Sequence, residues 1–504
     1  MNLREYHERT NHSVASLREN RHVLDWDTQP HPFKIYTGLA PIALPRDFGT
    51  STVSALAALA ATAPSEPRRA LPDLNALARL LHYSAGITRT RTYPGGRVMH
   101  FRAAACTGAL YHIDLYLVCG DLPDLPAGVY HFGPQDFALR RLRAGDHRGV
   151  LIDATASEPS ITAAPAVLVC TSTFWRNAWK YQSRAYRHCF WDSGTILANL
   201  LAVAAADGVP ARIVLGFVDT ALNQLLGLDP QREVSLALVA LGGRATPPPP
   251  APPHPPLALA TMPLSAREVD YPLIRAAHTA SSLATAADVR AWRAGAITPR
   301  PPAAPAAVAL QPLAQPPSRS LTDVIIQRGS SRRFARAAIG FGQLSTALQA
   351  ATRGVSADFL AAPGASLADC YLIVNAVDGL PAGTYVFDRE RGALERLKAG
   401  EFRREAGFLD LGQELAADAA VDFYVLADLE RIFARLGDRG YRAAQLECAI
   451  IGGKLYLAAY ALGLGATGLT FFDDDVTEFF SPHAAGKGVM FLVAAGVPAR
   501  SRRR

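Results

Sequence analysis

The sequence predicts an α+β fold built twice, as two copies of one domain in a single chain. Two observations carry that reading. The first is a strongly apolar helix that occurs twice, at Tyr186–Gly208 (YRHCFWDSGTILANLLAVAAADG) and Tyr441–Gly463 (YRAAQLECAIIGGKLYLAAYALG), 255 residues apart. Tyr186 pairs with Tyr441, Arg187 with Arg442, Asp192 with Glu447, Asn199 with Lys454 and Gly208 with Gly463. The second is that the same offset returns in separated blocks. Asp114-Leu-Tyr-Leu-Val answers Asp369-Cys-Tyr-Leu-Ile, Leu125-Pro-Ala-Gly-Val-Tyr answers Leu380-Pro-Ala-Gly-Thr-Tyr, and Leu142-Arg-Ala-Gly answers Leu397-Lys-Ala-Gly. Chance is a poor explanation for so many blocks in one register, and the mixture of strands and helices within each copy is that of an α+β domain.

In each copy of the helix, polar residues come first, a run of Ala, Leu and Ile follows, and Gly stands at the position beyond a helix end that favours it. A helix apolar all round is the buried spine of a domain. Asn199 and Lys454 interrupt the two runs before either reaches the unbroken length of a membrane span.

Elsewhere the chain reads in order. Residues 1–70 form an arm in which prolines at 30, 32, 41 and 45 argue against long helices beyond Val14–Arg21. The first repeat, 71–244, opens with an amphipathic helix carrying Leu74, Leu77, Leu80 and Leu81, then a loop over Ile87–Arg97. Strands follow at Asp114–Cys119, Gly128–Phe132 and Ala166–Thr171; after the spine helix come strands at Arg212–Val218 and Val234–Leu241. Residues 245–317 are a proline-rich linker around a short structured insert, LSAREVDYPLIRAAHTASSL, which either crosses the domain junction as a lid or decorates the surface. The second repeat is 318–504.

Composition narrows the class. Of 504 residues, 49% are hydrophobic and 19% charged, which excludes wholesale disorder. The net charge of +7 is modest, and its arginines are scattered apart from the tail Arg500–Arg504, so no nucleic-acid surface is expected. Six cysteines with no Cys-x-x-Cys pair read as reduced core thiols of a cytoplasmic protein, and the polar start MNLREYHERTNHS is not a secretory signal.

A duplicated chain reproduces the interface of a homodimer, and binding sites favour such junctions. Stretches present in only one copy are therefore the candidates. Arg328-Gly-Ser-Ser-Arg-Arg-Phe sets Arg328, Ser330 and Arg332 together; guanidinium forks and a hydroxyl suit a phosphate, and on a helix Arg328 and Arg332 share a face. A solvated basic turn is the plain alternative. In Arg102–Tyr116 the small residues Ala105–Ala109 let backbone approach a flat ligand, or simply make a turn before a strand. In Trp179-Lys180-Tyr181, partial burial of Lys180 lowers its pKa towards proton exchange, with Tyr181 assisting; otherwise Lys180 is a snorkelling surface residue. No zinc-ligand spacing, Walker loop or Gly-x-Ser-x-Gly elbow occurs.

Together the opening YHERTNHS…LDWDTQPHPFKIY, the block RAAACTGALYHIDLYLV, WKYQSRAYRHCFWDSG and REVDYPLIRAAHTASSL resemble the nitroreductase superfamily of flavin enzymes, specifically its SagB-type dehydrogenase branch in a tandem form. The resemblance implies two nitroreductase-like domains forming an intramolecular pseudo-dimer with FMN at their junction. It assigns Arg328, Ser330 and Arg332 to the flavin phosphate and ribityl chain, and Cys106, Thr107, Gly108 and Ala109 to the loop lining the isoalloxazine. It places Gly468, Leu469 and Thr470 beside the flavin N5 edge, and offers Arg500 as a further phosphate contact. The branch oxidises thiazolines and oxazolines in peptides to azoles, with a Lys-Tyr pair, here Lys180-Tyr181, as base and helper. Where that branch has Pro-Ser-Ala-Gly-Ala-Leu-Tyr-Pro, this chain has Ala105-Cys-Thr-Gly-Ala-Leu-Tyr-His. A second site would need a phosphate motif ahead of Leu74 and a small-residue loop at Ala361–Ser366; both look degraded, so one FMN per chain is expected. A small-molecule or modified-peptide substrate and biosynthetic partner proteins are expected, with no nucleic acid or membrane, in a monomer or homodimer. Competing readings are an NAD(P)H-dependent nitro or quinone reductase and a non-catalytic scaffold.

Overall fold

The computed structural model describes residues 1–47, 49, 51–61, 71–96, 98–298, 307–362 and 364–499. The first half contributes β1 (Pro41–Ala43), β2 (Ile87–Thr92), β3 (Val98–Arg102), β4 (Ile113–Cys119), β5 (Gly128–Gly133), β6 (Ala138–Ala144), β7 (Ala166–Thr173), β8 (Ala211–Val214) and β9 (Glu233–Leu241). The second half contributes β10 (Ala307–Ala309), β11 (Ile339–Gly340), β12 (Ala368–Val374), β13 (Val377–Asp378), β14 (Gly383–Asp388), β15 (Ala393–Ala399), β16 (Val421–Asp428), β17 (Gly465–Gly468) and β18 (Lys487–Gly496). Two seven-stranded sheets result, with orders β1-β6-β5-β4-β7-β9-β8 and β10-β15-β14-β12-β16-β18-β17. The two orders are the same strand for strand, as the repeated blocks predict. Their central strands, such as β7 and β9, are buried along their whole length, which is why their sequences are continuous apolar runs rather than alternating ones.

The spine helices Ala185–Ala206 and Arg439–Ala461 pack against each other between the two sheets. Gly208 and Gly463 take the left-handed conformation (φ 68° and 76°) just beyond their ends, as expected from the sequence. The run Phe174–Ala206 is apolar and long enough to cross a membrane, but it is mostly buried in this core. Where the spines cross, each residue meets its own repeat. A Cβ on Gly194 would lie 2.5 Å from Ala449 Cβ, and one on Gly453 would lie 2.7 Å from Ala198 Cβ. Residues 194 and 449, and 198 and 453, are each 255 apart, so this is the isologous contact of a two-fold dimer made within one chain. A second self-contact is the bridge between Ser54 and Ser320, where Ala55 N–H donates to Arg319 O (2.9 Å) and Leu321 N–H to Val53 O (3.0 Å).

Reciprocal ion clusters lock the halves. Arg184 and Arg187 of the first spine segment hold Asp473 of the second repeat, at 2.9 and 2.6 Å, while Arg439 and Arg442 hold Asp219 of the first repeat, at 2.6 and 2.7 Å. Each cluster is finished by a segment outside the repeats. The arm helix Leu3–Arg9 brings His7 O and Thr10 Oγ1 to Arg187, and the insert helix Pro272–Ala280 brings His278 O and Ser281 Oγ to Arg442. His7 Nδ1 lies 3.1 Å from Tyr441 Oη, and His278 Nδ1 lies 3.5 Å from Tyr186 Oη. His278 and Ser281 follow His7 and Thr10 by 271 residues, so arm and insert fill equivalent places in the pseudo-dimer.

Three local expectations are corrected. Ile87–Arg97 is not all loop: β2 and β3 form a hairpin, with alternating Ile, Thr and Val at positions where β-branched residues favour strands. The strand expected over Arg212–Val218 ends at Val214, because the next N–H groups, of Leu215 and Gly216, donate to the Asp358 carboxylate of the other repeat (2.9 and 2.8 Å). The helix ahead of the basic motif, Leu321–Gln327, ends with Arg328 as its cap (φ −55°, ψ 130°), so Arg328 and Arg332 do not share a helix face.

Candidate functional site

The segment Arg102–Tyr111 leaves β3, turns through Thr107–Ala109 and enters β4. Gly108, Ala109 and Tyr111 all have positive φ (63°, 54° and 52°); at the two non-glycine positions this conformation stores strain and persists only where the surroundings impose it. The imposing group is Asp192 on the first spine helix. Its Oδ1 accepts from Thr107 N–H (2.9 Å) and Thr107 Oγ1 (2.7 Å), and its Oδ2 from Cys106 Sγ and His112 Nε2 (2.9 Å each). A carboxylate only accepts, so His112 donates to it through Nε2, and its Nδ1 lies 2.8 Å from Ser172 Oγ. Burial and the adjacent carboxylate push the Cys106 thiol well above its ordinary pKa, so it is a hydrogen-bond donor rather than a nucleophile.

Tyr181 closes this turn from the other side. A Cβ at residue 108 would sit 2.8 Å from Tyr181 Oη, so glycine is required there by contact as well as by φ. Burial first, then Asp192 and Cys106, raise the Tyr181 pKa above that of a free phenol; it stays protonated at neutral pH. Its ring packs edge-on against His188, which burial keeps neutral. Lys180 differs from expectation. The helix Phe174–Tyr181 ends at Gln182 (φ 50°), and Lys180 is exposed on its last turn with Nζ 5.2 Å from the Tyr181 ring centre, not partly buried.

The second repeat meets the same segment through Arg328. Its Nε donates to Ala103 O (3.0 Å) and Nη2 to Arg102 O (3.1 Å), while Nη1 takes no partner among the described residues. Ser330 Oγ lies 3.0 Å from Tyr456 Oη, and the same phenol oxygen accepts from Gly468 N–H at 2.6 Å. Tyr456, from the second spine helix, thus ties the basic motif to the Gly468 segment. Ser331 N–H donates to Ala466 O (2.9 Å), and a Cβ on Gly465 would collide with Ser331 Oγ. Leu469 N–H donates to Leu492 O, and Thr470 is half-buried beside it. Arg332 is exposed. Arg500 lies outside the described residues.

The fold therefore joins Cys106–Ala109 to Tyr181, Arg328 to Arg102–Ala103, and Ser330 to Gly468. Sequence reasoning missed Tyr456, Tyr111 and His112, and saw Asp192 only as the partner of Glu447. For Tyr456 a signal existed, since the position 255 residues earlier is Leu201. In the second repeat Glu447 plays the part of Asp192, accepting from Ser366 Oγ (2.6 Å) and Leu367 N–H (2.8 Å). The stretch that would supply a phosphate motif opposite it, 62–70, lies outside the described residues.

Known proteins agree with this architecture. The chain is 31% identical to the Methanocaldococcus jannaschii protein MJ1384, described as a nitroreductase, over 164 residues covering 31% of this chain and 82% of that one. It is 27% identical over 158 residues to the microcin B17-processing protein McbC of Escherichia coli, covering 30% of this chain and 54% of McbC, so only about half of McbC is matched. A crystal structure from Anabaena variabilis, also described as a nitroreductase, superposes with a TM-score of 0.76 at 26% identity, covering 98% of this chain and 99% of the other. The profile of the nitroreductase family matches residues 111–243 and again 325–496, once in each sheet-and-spine unit, and the chain belongs to that family.

Proposed function

We propose that the chain is an FMN-dependent dehydrogenase holding one flavin between Arg102–Tyr111 of the first repeat and the Arg328–Arg332 and Gly468–Thr470 segments of the second. The observation that carries this reading is the clamp of Arg328 on the Arg102 and Ala103 carbonyls, which brings the basic motif to the strained small-residue turn. The donor set fits the group. Arg328 Nη1, Ser330 and Arg332 offer forked and hydroxyl donors to a phosphate, and Gly108 and Ala109 present backbone with almost no side chain to a flat ring system. When bound, FMN supplies a hydride acceptor.

The likeness to McbC, a peptide-processing protein, supports an azoline-like or otherwise activated intermediate of peptide or natural-product modification as substrate, with partner proteins delivering it. In that reading Lys180 removes the proton of the substrate ring. Tyr181, which keeps its own proton, donates a hydrogen bond and fixes the Gly108 turn. A second reading, an NAD(P)H-dependent nitro or quinone reductase, is favoured by the relatives described as nitroreductases and by the exposure of Lys180.

The purified chain is expected to carry one releasable FMN, and Arg328→Ala to carry none while keeping its circular dichroism; two flavins per chain, or retention of flavin by the variant, sinks the single-site reading. Lys180→Ala should keep FMN but lose roughly 100-fold or more of its turnover on an azoline-bearing peptide, the usual span for removal of a general base. Full turnover in that variant removes Lys180 from the mechanism, and steady NAD(P)H oxidation with a quinone favours the reductase.

A further inference from the structure

A cavity of about 410 Å³ lies in the first repeat away from Arg328 and Gly468, between the start of the helix Phe174–Tyr181 and a strap of the linker, and its lining includes Lys34, Arg176, Arg232, Glu233, Leu257 and Met262. That volume is in the range of small-molecule sites. The strap lies along the N-terminal arm, with Met262 N–H donating to Ile35 O (2.8 Å), Thr37 N–H to Ala260 O (3.1 Å) and His31 N–H to Leu264 O (2.7 Å). Leu257, Leu259, Met262 and Leu264 of the strap are half-buried and give the cavity an apolar wall.

The polar wall is unusual in one respect. Arg176 has no solvent exposure, and only its Nη1 is used, by Asp114 Oδ2 (2.9 Å) and Tyr111 O (3.3 Å). Its Nε and Nη2 have no partner among the described residues. These two N–H groups lie on the same edge of the guanidinium, the fork that binds a planar carboxylate through two parallel hydrogen bonds. Leaving two buried charged donors unpaired is costly, and native proteins rarely do so without a ligand or water to fill the place. The other charged groups of the wall are engaged: Lys34 with Glu233 and Tyr116, Glu233 with Thr171, Arg232 with Glu268, and the exposed Asp229 carboxylate with Gln231 N–H at 3.0 Å.

We propose that this cavity binds a small organic carboxylate with an apolar body, its carboxylate on the Nε–Nη2 edge of Arg176 and its body against the strap. The site stands apart from the flavin reading and would survive its failure. Because the opposite edge of Arg176 holds the Tyr111 carbonyl, the ligand shares an arginine with the strained Arg102–Tyr111 segment.

The test is calorimetric titration of the full chain with 4-phenylbutyrate and hexanoate, each beside its primary amide. The acids are expected to bind at least tenfold more tightly than the amides. Arg176→Lys, which keeps a cation for Asp114 but removes the fork, should abolish that preference. Leu259→Trp, which fills the cavity from the strap side and leaves Arg176 intact, should abolish binding of acid and amide alike; it decides the matter if the lysine variant does not fold. Absence of binding by either acid, equal affinity for acid and amide, or unchanged acid binding in Leu259→Trp overturns the proposal.

Discussion

Asp473→Asn is expected to lower stability by about 3–5 kcal/mol, because it strips the shared anion from two buried arginines without removing either cation. Arg184 and Arg187 are both buried, and neither has another carboxylate among its hydrogen-bond partners in the described residues. For one repeat-sized unit, a loss of that size corresponds to a fall of roughly 10 °C in the melting temperature. Asp219→Asn should do the same, since Arg439 and Arg442 hold Asp219 in the equivalent way. Acid should mimic both variants. Burial alone raises the pKa of each carboxyl, but the two arginines outweigh it and hold Asp219 and Asp473 at about 2, below the ordinary 3.8. A carboxyl whose folded pKa is depressed contributes stability above its unfolded pKa, and that contribution is lost as pH falls through the folded value. The window is therefore about pH 4 down to pH 2, with roughly 2 kcal/mol at stake per group. Calorimetric melts at pH 7 and pH 2.5 check both points: the gap between native and variant protein should be clearly smaller at pH 2.5 than at pH 7, by at most the roughly 2 kcal/mol that titration removes. Equal melting temperatures at pH 7 would show that the clusters do not hold the halves together.

The parts of this arrangement legible in the sequence are those in which a residue's neighbours are its own repeat. Tyr186–Gly208 and Tyr441–Gly463 announce themselves because each spine must be apolar all round to pack on the other, and the shared offset of 255 follows from one domain copied whole. The equivalence of arm and insert was not legible, because proline-rich linker shifts its offset to 271 and only scattered residues such as His7 and His278 are shared. The site was legible as segments and not as a network. Cys106 and His112 lie 86 and 80 residues before Asp192, and nothing local marks a carboxylate in an apolar helix as the acceptor for a distant turn. Arg328 was read onto a helix it only caps, since the helix-forming run stops at Gln327 and Gly329 follows. Lys180 was read as partly buried from its aromatic neighbours, whereas Trp179 turns inward and leaves its successor on the outer face.

The strongest asymmetry between the repeats lies in what their matching carboxylates hold, and it yields the sharper test of the site. Asp192→Asn keeps size and one acceptor oxygen but turns the other position into a donor, facing Cys106 Sγ and His112 Nε2, which both need an acceptor. The strained turn at Gly108–Tyr111 then loses half of its restraint, and with it the surface offered to a flat ligand. The expected result is a loss of FMN affinity of at least tenfold, with a much smaller change in melting temperature, because the spine itself stays packed. Glu447→Gln makes the same chemical change in the second repeat, at Ser366 and Leu367, where no basic motif lies opposite among the described residues. It should leave FMN affinity unchanged. Fluorescence titration of both apoproteins with FMN compares the two directly. Equal losses would mean that both carboxylates support flavin sites, and two flavins per chain would then have to be accounted for. No loss in Asp192→Asn would mean that the Cys106–Ala109 turn does not line the flavin, whatever Arg328 contributes from the other side.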